Sequence, residues 1–381
     1  MTTIQQEISI IGGGPGGLML ALLLQQNGIK TTVYERSEKD LNTLRGGSLD
    51  IHEDTGQLAL QAAGIFEDFL KKARFEGEDF RLVNKHLHVY LDETATADQP
   101  GARPEIDRGE LCSILLETLD ATTIQYGYCL ESCHTLENGQ TVLVFDNGET
   151  IISDLVIGSD GAFSRVRSLL SSTDVTYSGL TMLELTIPDV AALHPDLAAL
   201  NKRGKLFALE DRKGLIGQLN GDGSLKVYVS MHVAQDWLET CGIPFDDLQI
   251  AKEALLQQFA DWHEELKNYI RYAEGQIMPR RIYMLPVGFT WPSHKSVTLI
   301  GDAAHVMSPF AGEGVNMALF DAYTLAMALI NNPDTAITTY EEAMFTYSAA
   351  SAKESNDNLA LCFSENAAEK LAVLMNSFHE A

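Results

Sequence analysis

The sequence predicts an α/β protein in which a parallel, doubly wound sheet is interrupted by a second, mostly antiparallel domain. Three observations carry that expectation. Residues 7–11 form a short β-branched run that leads into a glycine cluster, a helix-forming stretch (18–26) ending at Asn27-Gly28, and a second strand at 30–34, which together make a β-α-β unit. Two later apolar runs, 154–158 and 296–300, read as buried strands of the same sheet. Between about 176 and 276 the character changes to short strands broken by turns such as Asn220-Gly221-Asp222-Gly223.

The remaining elements follow in order. Residues 54–72 space Leu58, Leu60, Ala63, Ile65, Phe66, Phe69 and Leu70 as an amphipathic helix does. Residues 80–91 read as strand, 108–119 as helix, and 141–145 as one arm of a hairpin turning at Asp146-Asn147-Gly148. In the middle region 205–208 and 226–231 are strands and 248–259 is a helix. The last stretch, from 335, is helix-forming throughout. The expected division is therefore a discontinuous first domain (1–72, 101–175 and 282–334), an inserted domain (73–100 and 176–281) and a C-terminal bridging helix (335–381).

A chain of 381 residues is long enough for two domains with cores of their own. The formal net charge of -26, from 27 Lys+Arg against 53 Asp+Glu, repels phosphate backbones and anionic lipid, which argues against nucleic acid and membrane surfaces as partners. Five cysteines, Cys112, Cys129, Cys133, Cys241 and Cys362, include no C-x-x-C pair, and the ten histidines share no metal-ligand spacing, so reduced thiols and no metal are expected. The first apolar run is too short for a signal peptide and no later one reaches the ~20 residues of a membrane span, so the cytoplasm is the default address. A monomer is the expected state.

Chemistry enters with Gly12-Gly13-Gly14-Pro15-Gly16-Gly17, a G-x-G-x-x-G string placed directly between strand and helix. Gly12 permits the tight turn, Gly14 lets a pyrophosphate approach the backbone, and Gly17 lets helix and strand pack closely. The phosphates would then face the helix N-terminus, where amide donors and the dipole favour negative charge. Glu35, eighteen residues after Gly17, stands where a carboxylate accepts both ribose hydroxyls of an adenosine, with Arg36 beside it. That unit serves NAD and FAD alike. Two later segments discriminate: Gly158-Ser159-Asp160-Gly161, running into Ser164-Arg165-Val166-Arg167, and Gly301-Asp302-Ala303-Ala304-His305, followed by Pro309, Gly312, Gly314 and Asn316.

Together these three segments resemble the group A flavoprotein monooxygenases, the p-hydroxybenzoate hydroxylase class. Residues 46–52 (Gly46-Gly47-Ser48-Leu49-Asp50-Ile51-His52), 104–108 (Pro104-Glu105-Ile106-Asp107-Arg108) and 309–316 further resemble the tetracycline-inactivating monooxygenases of the TetX type. The resemblance covers about 8–322 and implies a Rossmann-like FAD-binding domain, NADPH (or NADH) as reductant, and a flavin hydroperoxide as the reagent that hydroxylates an aromatic or enol-containing polycyclic substrate. No side chain is therefore singled out as catalytic. Carried over by position, Asp302 meets the ribityl and pyrophosphate region, Asp50 and Arg108 flank the flavin, Asp160 lies near flavin and nicotinamide, and the stretch from Pro309 to Asn316, with Gly312, Gly314 and Val315, presents backbone amides to the flavin's pyrimidine edge. Asp160 and Asp302 could also act as caps on the turns that follow them.

The chain departs from the resembled pattern in two places. Glu313 stands where a Gln is common, which brings a carboxylate towards the flavin. Glu184, Lys205 and Lys226 stand where tetracycline-degrading relatives tend to carry Gln, Arg and His, so tetracycline is in question as the substrate. Phe207 and Tyr228 complete the candidate substrate residues. Two other readings stay open: a reductase on the same fold, and a relative that sequesters a ligand without catalysis.

Overall fold

Ile8, Ser9, Ile10 and Ile11 are all buried, the condition under which a parallel strand reads as an unbroken apolar run. In the computed structural model, which describes residues 7–39, 46–95 and 102–379, this strand (β1, Ile8–Ile11) is the centre of a five-stranded parallel sheet. With Thr31–Glu35 as β2, Ile124–Tyr126 as β3, Leu155–Gly158 as β4 and Val297–Leu299 as β5, the order is β5-β4-β1-β2-β3. All five strands point the same way, so Gly12, Ser159 and Gly301 emerge at one carboxyl edge, where open α/β sheets bind ligands.

Helix α1 (Pro15–Gln26) leads from β1 back towards β2. Pro15 suits its first position, where an N–H would have no intrahelical partner, and residues 18–24 are buried all round. The Asn27 side-chain amide donates to the Leu23 carbonyl at 2.9 Å, and Gly28 turns the chain out at φ +74°. Helix α2 (Arg108–Thr118) and helix α3 (Gly314–Asn331) belong to the same layer system. A Cβ at Gly16 would lie 2.9 Å from the Ala318 carbonyl oxygen, so α1 and α3 touch backbone to backbone at their first turns.

Three elements differ from the sequence expectation. The helix expected over 54–72 is a π-helical turn, Glu53–Gln57, followed by short helices Leu58–Ala62 and Phe66–Leu70, parted where Gly64 takes φ +67°. The strand expected over 80–91 is a hairpin, Phe80–Val83 and Val89–Glu93, with Leu87 at φ +64° in its turn. The C-terminal stretch is two helices, α4 (Ala336–Cys362) and α5 (Ala367–His379), parted where Asn366 adopts φ +53°.

The chain forms two compact units: Met1–Ala73, Arg108–Thr176 and Tyr283–Asn356 in the first, Arg74–Asp107, Tyr177–Ile282 and Asp357–Ala381 in the second. The second is built on a seven-stranded sheet in the order Glu274–Met284, Thr176–Ile187, Leu225–His232, Lys213–Leu219, Lys205–Glu210, Phe80–Val83, Val89–Glu93. From Thr176–Ile187 to Val89–Glu93 the pairing is antiparallel except where Phe80–Val83 runs parallel to Lys205–Glu210. One face, with Leu183, Leu185, Leu206, Leu215, Val227 and Val229, is sealed by Phe259, Trp262, Leu266 and Tyr269. Each such buried side chain contributes ~1.5–3 kcal/mol from removal of apolar surface. Among the described residues no helix is long and apolar enough to cross a membrane.

Candidate functional site

The glycine turn after β1 is shaped by what cannot be added to it. Gly12 takes φ +109°, and a Cβ there would lie 2.2 Å from the Ser159 carbonyl oxygen, so the ends of β1 and β4 can close only on a glycine. A Cβ at Gly17 would lie 2.1 Å from the Gly12 carbonyl oxygen, which lets α1 start hard against β1. Gly14 is different. It is the N-cap of α1 with no side-chain cap, and a Cβ built there would meet only Arg108 Nη2, at 3.6 Å. The first-turn N–H groups of α1 thus open onto space bounded by a guanidinium.

Glu35, at the end of β2, is 7% exposed and uses both carboxylate oxygens locally. Oε2 accepts from the Gly13 N–H at 2.7 Å and Oε1 from the Ser37 N–H at 2.8 Å. It fixes the glycine turn against β2, and each oxygen keeps a lone pair for a further donor. Arg36 beside it is exposed.

Beyond β4, Asp160 Oδ2 accepts from the Arg165 N–H at 2.8 Å and caps the turn Val166–Leu169, while Oδ1 is buried with no partner among the described residues. Burial pushes this carboxyl's pKa up, against the pull of Ser164 and the backbone donors. Arg167 acts as a brace: it is 5% exposed and donates to the Ala303 carbonyl at 3.0 Å and the Ala162 carbonyl at 2.7 Å. Beyond β5, Asp302 follows Gly301, which takes φ +60°. Protein crowds Asp302 and raises its carboxyl pKa, opposed by His305 and Arg108, yet its side chain stays exposed, so water on the open side limits that rise.

The loop before α3 closes the same region. A 3-10 turn, Pro309–Ala311, leads to Gly312 at φ +68°, where a Cβ would lie 2.9 Å from Asp50 Oδ2. No atom of the described residues lies within 4 Å of a Cβ built on Gly314, so the N–H groups at the start of α3 also open onto space. The Asn316 side chain serves the framework. Its Nδ2 donates to the Asp50 carbonyl at 2.9 Å and the Gly312 carbonyl at 3.0 Å, and its Oδ1 accepts from the His52 N–H at 2.8 Å. With the side chain so engaged, the backbone amide is what Asn316 offers to a ligand at the first turn of α3.

A buried network behind Asp302 escaped the sequence reading. Asp321, fully buried on α3, accepts from the Gly301 N–H at 2.7 Å, from His305 Nε2 at 2.7 Å and from the Tyr347 hydroxyl at 2.5 Å. Burial opposes charge on His305, but the Asp321 carboxylate outweighs it and raises the imidazole pKa. The network fixes the turn that presents Asp302. A signal was present: Asp321 is the only charged residue between Val315 and Ile330.

In the second unit the register brings all five candidate substrate residues to one sheet face. Glu184 pairs across strands with Tyr228, Tyr228 with Ile216, Ile216 with Phe207, and Lys226 with Gln218, which pairs with Lys205. All of these are half-buried or, for Ile216, buried. Their charges are matched within the unit: Glu184 meets Lys226 at 3.3 Å and Arg280 at 2.8 Å, and Lys205 meets the buried Glu105 at 2.8 Å. Burial, then Glu184, pushes the Tyr228 hydroxyl pKa up to about 12.

Two helix N-termini in backbone contact, one guanidinium and open space in front of Gly14 and Gly314 fit the pyrophosphate and the rings of a dinucleotide. The fold and this cradle define a dinucleotide-binding protein. The chain belongs to the family described as FAD binding domain, whose model matches residues 5–235 and 290–350. The monooxygenase penA of Penicillium thymicola is 28% identical over 438 residues, covering 98% of this chain and 99% of that protein. A structure from Photorhabdus luminescens, assigned to the FAD-containing monooxygenases, is 26% identical with a TM-score of 0.77, covering 94% of this chain and 98% of its own. The tetracycline destructase Tet(51) shares the fold at 21% identity and a TM-score of 0.71, covering 98% and 96%. The protein stands among the FAD-dependent monooxygenases.

Proposed function

We propose that the protein uses a reduced nicotinamide and O2 to hydroxylate a planar phenolic or enol-containing small molecule. The observation that carries the substrate class is the half-buried sheet face on which Phe207, Ile216 and Tyr228 lie among Lys205, Lys226 and Arg280. Aromatic and aliphatic groups suit a flat ring, and cations suit an ionised phenol or enol. When bound, FAD supplies the redox centre that accepts a hydride and activates oxygen. Reduced nicotinamide, O2, a proton and substrate become oxidised nicotinamide, water and a product richer by one oxygen atom.

The chain's own part is to bind, orient and dehydrate. The N–H groups at the starts of α1 and α3 and the Arg108 guanidinium meet negative charge, with Pro309, Gly312, Gly314, Val315 and the Asn316 amide along one wall. Glu35 and Asp302 accept from sugar and ribityl hydroxyls, Asp50 supports the Gly312 turn, and Asp160 keeps one acceptor oxygen at the β4 end. Arg36 is free to meet the adenosine end. Asp302→Ala removes a charged acceptor worth about 1.5–3 kcal/mol, and FAD affinity is expected to fall by about ten- to a hundredfold, read as loss of yellow colour on dilution and gel filtration. Full flavin occupancy in that variant would overturn the role of Asp302.

The function itself is tested by NADPH oxidation in air by the flavin-loaded protein, with oxygen uptake and mass spectrometry of the organic compound. Substrate-stimulated oxidation, oxygen uptake equal to NADPH consumed and a gain of one oxygen are expected for a hydroxylase. A product richer by two hydrogens without oxygen uptake would establish the reductase instead. A tetracycline belongs in the first panel because of the TetX-like segments, together with simpler phenols, because Glu184 is occupied by Lys226 and Arg280.

A further inference from the structure

His52 lies between two carboxylates at the α3 end of the cradle. It is 7% exposed, with Nε2 3.3 Å from Asp50 Oδ2 and Nδ1 3.4 Å from Glu313 Oε1. A neutral imidazole has one N–H and one bare lone pair, so only the protonated ring can donate in both directions. The second Glu313 oxygen, Oε2, is buried with no partner among the described residues, so the carboxylate is compensated by His52 and by the N-terminus of α3, of which Glu313 is the N-cap. The set carries a net charge of about -2 without the shared proton and about -1 with it, from two carboxylates and one imidazole. Among the described residues the charges on the surrounding elements include Arg108, whose N–H donates to the Gly47 carbonyl at 3.1 Å, just before the strand Ser48–Asp50 that carries Asp50. The turn Glu53–Gln57 carries Glu53 and Asp54, both exposed; the helix Leu58–Ala62 carries none; α3 carries Asp321, which is engaged by His305 and Tyr347.

Two carboxylates beside helix N-termini oppose the anion binding that those termini favour. We propose that Asp50, His52 and Glu313 form a proton store that offsets charge at the α3 end of the flavin site and takes up a proton from solvent when the flavin is reduced. This rests on the flavin reading given above. Hydride transfer from a nicotinamide brings two electrons and one hydrogen nucleus and leaves the flavin with one added negative charge. Uptake of one solvent proton by the set restores the charge balance.

The test is the flavin midpoint potential of the holoprotein, followed by dye equilibration from mildly acidic to mildly alkaline pH in the wild type, Glu313→Gln and His52→Gln. Each proton taken up per two electrons changes the reduction equilibrium tenfold per pH unit, about 30 mV for this couple. The wild type is expected to show a pH window with one proton more than His52→Gln shows. In Glu313→Gln, which keeps shape and hydrogen bonding, the window moves to lower pH because one of the carboxylates favouring the protonated ring is gone. Identical slopes in all three proteins would overturn the proton store while leaving the flavin reading intact. A protein that binds no FAD would overturn that reading itself, and the proton store with it.

Discussion

Asp321→Ala is expected to destabilise the first unit by about 3–5 kcal/mol, the range for breaking a buried ion pair by removing one partner. The Gly301 N–H, the His305 imidazole and the Tyr347 hydroxyl all lose the same acceptor. The pH dependence adds a second signature. His305 has a raised pKa in the folded protein, so the stability it contributes is fully present below the ordinary imidazole value and is lost as pH rises through the raised one. In Asp321→Asn that dependence flattens, and the gap between variant and wild type narrows towards alkaline pH. Urea unfolding at mildly acidic and at alkaline pH measures both effects. A loss within the ~0.5 kcal/mol of an ordinary surface substitution would remove the network from any structural role. Because the Gly301 turn presents Asp302, FAD retention should fall along with stability.

Gly12→Ala should be comparably severe, for a steric reason. An added Cβ would lie 2.2 Å from one backbone oxygen and 2.7 Å from the carbonyl carbon of Ser159, atoms that cannot rotate away, at a residue already at φ +109°. Backbone strain of about 1–3 kcal/mol and overpacking of similar size add to about 2–6 kcal/mol. Gly28→Ala is the matched control. Its φ is +74° but nothing lies within 4 Å of the new methyl, so it carries backbone strain of about 1–2 kcal/mol without the collision. Thermal unfolding and flavin content of the two variants separate the effects. Equal losses would mean that the approach of β1 to β4 is softer than its geometry implies.

The parts legible in the sequence are those whose cause is local. The glycine turn follows an apolar strand within a few residues, and Glu35 ends the next strand, so the β-α-β unit and its acid can be read from one short window. The seven-stranded sheet is less legible, because Phe80–Val83 joins Lys205–Glu210 across more than a hundred residues and no neighbouring residue records that pairing. The Leu58 to Leu70 periodicity was genuine but did not register that Gly64 would divide it. The sequence offers Asn316 for its backbone amide, and the work of its side chain, which binds Asp50, Gly312 and His52, is visible only once three distant segments meet. Asp321 was legible as an oddity, a lone charge in an apolar helix, yet its meaning depends on partners that the chain brings from β5 and α4.

The double use of Glu35 bears on how the cofactor enters. Because both of its oxygens already hold backbone amides, the turn around Gly13 has its shape from the protein's own bonds and does not wait for a nucleotide to form it. A vessel moulded in advance loses little entropy when filled. Stripping the flavin should therefore leave the protein able to take it up again, and cellular flavin supply, more than refolding, would govern how much of the enzyme is active at any moment.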